Sequence, residues 1–77
     1  MELTQEQIEL LSRYLSDLGF PPRTVNHLES IGVYTLEDLL NTQPEKLLAI
    51  QNFGDKTLEE TYRILEEYGF VRTTSQN

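Results

Sequence analysis

Residues 52–57 read Asn-Phe-Gly-Asp-Lys-Thr, and they place a lysine and a hydroxyl in the first turn of a helix whose apolar stripe begins at Leu58, Tyr62 and Leu65. A cation is the wrong charge for that position, because a helix start carries the positive end of the helix dipole. An anion docked there would satisfy the free amides and neutralise Lys56 together, and Gly54 would let it approach the backbone closely. Phosphate is the simplest such anion. The same residues also have a plainer reading, in which Gly54 only permits a turn, Lys56 extends along the surface, and Glu59 and Glu60 offset the dipole.

A weak internal repeat bears on the choice. Phe20-Pro21-Pro22-Arg23-Thr24-Val25 and Phe53-Gly54-Asp55-Lys56-Thr57-Leu58 share the form Phe-x-x-[Arg/Lys]-Thr-[Val/Leu]. Each copy enters a helix with a cation and then a hydroxyl. Arg23 and Asn26 stand three apart, on one helix face that Pro22 starts. An arginine can enter a narrow minor groove or pair with phosphate, and an asparagine can donate to phosphate or read a base edge. Under a pseudo-twofold, as in paired helix-hairpin-helix units, the two helix starts would lie side by side and Arg23 and Lys56 would converge. The plain alternative is an exposed helix start with two polar residues.

Five short helices are expected to position these residues. Thr4 and Gln7 form a capping-box pattern, and Ile8, Leu11, Leu15 and Leu18 follow at helical spacing until Gly19, which predicts a first helix over 5–18. A second runs through Val25, Leu28 and Ile31 to Gly32. Thr35 and Asp38 cap a third, holding Leu36, Leu39 and Leu40. Thr42 and Glu45 cap a fourth, with Pro44 near its start and Leu47, Leu48 and Ile50 inward. The fifth spans about 56–68 and stops at Gly69. No window alternates with a period of two, so the expectation is an all-α fold, a compact bundle of five short helices with paired helix-hairpin-helix-like units. Residues 1–72 would form one domain, and the polar tail at 73–77 would fray.

Composition bounds the function. The 77 residues allow one small domain, and a hydrophobic content of 38% supplies one core. Cysteine is absent and His27 is the only histidine, so neither a disulfide framework nor a metal site is expected, and His27 reads as a surface or half-buried structural residue. No apolar run approaches the ~20 residues of a membrane span, and the N-terminus has no signal-peptide pattern, so the expected address is the cytoplasm. Thirteen acidic residues against six basic ones give a net charge of -7, so any grip on nucleic acid must come from a local cluster. Neighbouring acids such as Glu59 and Glu60 point about 100° apart on a helix and do not converge, so neither catalysis nor a cofactor is expected.

The stretch from Asp17 to Gly69 resembles the C-terminal domain of the bacterial RNA polymerase alpha subunit. The resemblance rests on Arg23-x-x-Asn26-x-Leu28, the segment "GVYTLEDLL" at 32–40, and "LLAIQNFGDKTLEE" at 47–60. The helix at 5–18 falls largely outside it. It implies a compact helical module that binds A/T-rich promoter DNA across the minor groove and also touches transcription regulators, in a cytoplasmic, nucleoid-associated setting with RNA polymerase as a further partner. By position, Arg23 would enter the minor groove with Asn26 as its helix-mate, while Asn52, Gly54, Lys56 and Thr57 would supply backbone contacts. The alternative within the same fold is a protein-protein interaction module with little DNA affinity. Neither reading involves a membrane or a small-molecule substrate.

Overall fold

Helix α1 stops at Leu10 in the computed structural model, which describes residues 2–71, and not at Leu18 as the spacing predicts. The reason is tertiary. The carbonyls of Leu11 and Arg13 accept from the amides of Glu37 (2.9 Å) and Leu36 (3.0 Å), and the Leu15 amide donates to the Tyr34 carbonyl (2.9 Å). Residues 11–14 thus turn and bend alongside 34–37, with one isolated antiparallel bridge between Tyr14 and Thr35. A single turn of 3-10 helix at Leu15–Asp17 follows.

The remaining elements are α2 (Pro22–Glu29), α3 (Leu36–Leu40), α4 (Pro44–Leu48) and α5 (Asp55–Glu67). The fold is all-α, with no strand among the described residues. The tail expected at 73–77 lies outside them.

Two of the starts are closed as the sequence predicts. Thr4 and Gln7 form a capping box on α1, and Thr35 and Asp38 form one on α3. The α3 amides are fully met, because Arg13 and Leu11 take Leu36 and Glu37 while the Thr35 hydroxyl takes Asp38 (3.1 Å). One Asp38 oxygen accepts from the Tyr34 amide (3.0 Å) and the Thr35 amide (3.1 Å). These two bonds hold its carboxyl below the usual carboxylate range, helped by the Thr35 hydroxyl and opposed by partial burial. The expected Thr42–Glu45 cap on α4 does not form. Gln43 is the N-cap there without a side-chain bond, and the Thr42 hydroxyl instead donates back to the Asp38 carbonyl (2.7 Å). Proline at the first position of α4 has no amide to cap.

The ends of α2 and α5 match each other. Gly32 (φ +85°) and Gly69 (φ +90°) take the left-handed conformation. At each end the next residue's amide reaches back to a leucine carbonyl, Val33 to Leu28 and Phe70 to Leu65, both at 3.0 Å. This is the Schellman arrangement, which packs the apolar residue after the glycine onto the helix it has just left. All four of these side chains are buried.

The core gathers Leu15, Leu18, Phe20, Val25, Leu28, Leu36, Leu39, Leu47, Phe53, Leu58, Tyr62, Leu65 and Phe70, as the sequence suggests, and adds Val33. Of the other expected members, Leu11, Leu40 and Ile50 pack against it half-buried, while Ile8, Ile31 and Leu48 are 49%, 42% and 41% exposed. Two long-range bonds close the shell. The Tyr68 hydroxyl donates to the Leu18 carbonyl (2.6 Å), and Gln7 Nε2 donates to the Gly69 carbonyl (3.0 Å).

Candidate nucleic-acid interface

The two helices that carry the repeat both combine a cation with free amides in their opening turns. α2 opens from Pro21 and α5 from Gly54; neither residue offers a side-chain oxygen, and both starts are left uncapped. The amides of Arg23 and Thr24, and those of Asp55, Lys56 and Thr57, find no acceptor among the described residues. α4, little more than one turn long, also lacks a cap and holds Glu45 and Lys46 in its opening turn, but the Lys46 amide is taken by the Gln43 carbonyl (3.0 Å).

Arg23, Asn26, Asn52, Gly54 and Lys56 are exposed, and Thr57 is half-buried with its carbonyl accepting from the Thr61 hydroxyl at 2.8 Å. No ion pair with another described residue ties up Arg23 or Lys56. The apolar positions of the two repeats are equivalent in burial: Phe20 and Phe53 are buried, as are Val25 and Leu58.

The turn before α5 differs from its reading in sequence. Gly54 sits at φ -105°, ψ -171°, extended backbone open to any residue, and a Cβ built there meets nothing within 4 Å. The left-handed position is Asn52, at φ 69°. Asparagine tolerates that region better than most side chains, so the turn needs Asn52 and not Gly54. Gly54 therefore leaves the α5 amides uncovered without being required by the fold.

A contact that the sequence does not announce joins the last turn of α2 to the turn before α5. The His27 ring, half-buried on α2, meets the Phe53 ring edge-on, with centroids 6.3 Å apart and planes at 65°. His27 lies one turn, about 6 Å of rise, after Arg23 on the same face. Phe53 lies between Asn52 and Gly54. The α2 face bearing Arg23 and the 52–57 segment are thus neighbours through this ring pair, while Asn26 edges a shallow hollow of about 280 Å³ shared with Ser16 and Phe20. The acidic residues Asp55 and Glu59 turn toward α4, where they line a groove of about 390 Å³ with Pro44, Leu48 and Leu58. Among the described residues no group of three or more His, Cys, Asp or Glu could hold a metal ion, and no helix is long and apolar enough to cross a membrane.

Residues 2–67 match the family model for the C-terminal domain of the bacterial RNA polymerase alpha subunit. The protein belongs to this family. The match takes in α1, which lies outside the stretch carrying the resemblance in sequence. Curated relatives named DNA-directed RNA polymerase subunit alpha include those of Rhodopirellula baltica (41% identical over 59 residues, 77% of this protein and 18% of the relative), Thermotoga petrophila (35% over 66, 86% and 20%) and Cycas taitungensis (32% over 68, 88% and 20%). The 77 residues span about a fifth of the length of these alpha subunits. Within the alpha C-terminal domain family, the all-α fold is what this sequence builds.

Proposed function

We propose that this alpha C-terminal domain is a non-catalytic DNA-binding module that docks on the minor groove of A/T-rich promoter DNA. The observation that supports the reading best is the pair of cation-bearing, uncapped helix starts, on two helices that the His27–Phe53 contact brings together. Arg23 enters the groove, with Asn26 beside it. Asn52, Gly54, Lys56 and Thr57 bring amides, a hydroxyl and an ammonium to the sugar-phosphate backbone. With so few cations on a protein of net charge -7, affinity is modest and the salt dependence shallow, about two to four phosphates' worth. RNA polymerase and transcription regulators are the protein partners this reading supplies, with the nucleoid as the place of action.

Titration of a labelled A/T-rich duplex at low salt tests it. Arg23→Ala and Lys56→Ala each weaken binding, and Lys56→Ala lowers the salt slope by about one, with circular dichroism unchanged. A native protein that is folded yet binds no duplex overturns the reading in favour of a protein-interaction module. The groove between α4 and α5 favours that second reading, since Leu48 is exposed there beside Asp55 and Glu59.

A further inference from the structure

Very little holds helix α1 to the rest of the protein. Of Gln5–Leu10 only Gln7 and Leu10 are half-buried, none is buried, and Leu10 alone packs against the core. A six-residue helix does not persist by itself, so a contact elsewhere must keep it folded. Among the described residues one hydrogen bond joins α1 to another part of the fold, from Gln7 Nε2 to the Gly69 carbonyl just past α5 (3.0 Å). Immediately after α1 the chain is anchored again, because the Leu11 and Arg13 carbonyls hold the Glu37 and Leu36 amides.

Gln7 does two things with one amide group. Its Oε1 accepts from the Thr4 amide (2.9 Å) and closes the α1 start, while its Nε2 reaches Gly69. Helix formation and docking therefore stand or fall together. The fit at Gly69 is close, since a Cβ there would stand 2.7 Å from Nε2. α5 has no basic residue in its last turn, so a neutral donor is what meets the negative end of its dipole.

We propose that α1 is a strap with Gln7 as its latch, which opens and closes as one unit about a hinge at Leu11 while the core stays folded. Closed, Glu6, Glu9, Leu10 and Arg13 form a hollow of about 360 Å³ with Tyr68. Open, the six residues lengthen from about 9 Å of helix to about 20 Å of extended chain, and Tyr68 and the Gly69 carbonyl lie bare. The device is independent of the DNA-binding reading.

Amide exchange of the whole protein in rising, sub-denaturing urea tests it. Amides of α1 such as Ile8, bonded to the Thr4 carbonyl (2.9 Å), are protected, exchange faster than those of Leu36 and Glu37, and respond little to urea, because opening the strap exposes little surface. Leu36 and Glu37 speed up steeply with urea, in step with global unfolding. Gln7→Glu keeps an acceptor for the capping box but turns a carboxylate oxygen on the Gly69 carbonyl, and α1 protection falls about tenfold. Undiminished α1 protection in that variant overturns the proposal. So does an α1 that shares the urea response of Leu36 in the native protein, or one that shows no protection there at all.

Discussion

An empty helix cap is a costly choice for a small protein, and Gly54 makes it at the start of the longest helix. Serine is the better N-cap, since its hydroxyl would accept from an α5 amide, and the site has room for it. Gly54→Ser is therefore expected to stabilise the fold by a few tenths of a kcal/mol, read as a higher midpoint in urea unfolding. The same change weakens duplex binding, because the hydroxyl occupies amides that would otherwise face phosphate. A variant that is both more stable and a better binder would show that these amides are not a ligand site. The sequence assigned the geometry of the 52–57 turn to the wrong residue. Glycine is the usual holder of a positive φ, and only the backbone of the turn reveals that Asn52 has taken that role.

Single elements show where a local pattern is enough. Caps and glycine stops located α2, α3 and α5 because those signals are satisfied within a few residues. The first helix was overextended because apolar spacing beyond Leu10 does not reveal that the Leu11 and Arg13 carbonyls are claimed by a segment more than twenty residues away. Val33 was readable and overlooked. The apolar residue after a helix-ending glycine folds back on the helix, as Phe70 does after Gly69.

Asp38 gives this scale its pH dependence. Its folded pKa lies below the unfolded one, so the stability it contributes is complete above the ordinary carboxylate range and is lost as pH falls through the folded value. Asp38→Asn is expected to cost about 0.5–2 kcal/mol near neutral pH, and the gap to the native protein closes in strong acid. Urea titrations at several pH values check this. A gap that is the same at every pH would assign the loss to something other than the carboxylate.

For the whole molecule, 77 residues hold about 4–12 kcal/mol of stability in total. Leu28 is fully buried and accepts the Val33 bond at the end of α2, and truncation to alanine costs about 2–5 kcal/mol. Leu28→Ala should lower the melting temperature by about ten degrees or more in calorimetry. Ile8→Ser, at a position 49% exposed, should change it little. The core was largely legible because burial follows helical period, and the errors fall where a residue lies beyond the part of its helix that meets the core. The positions of the candidate interface were legible as types and spacings. The repeat suggested that the two helix starts lie side by side, but it did not announce the ring pair between residues 27 and 53 that brings α2 against the turn before α5.

The backbone closure of α3 by Leu11 and Arg13 bears on how the molecule opens. A five-residue helix does not persist alone, so the Leu36 and Glu37 amides are sheltered only while residues 11–15 stay in place. In deuterium exchange these two protons should wash out together at the rate of global opening, earlier helical fraying leaving them untouched. They would serve as a built-in clock for the intact state, readable in the same tube as a bound duplex.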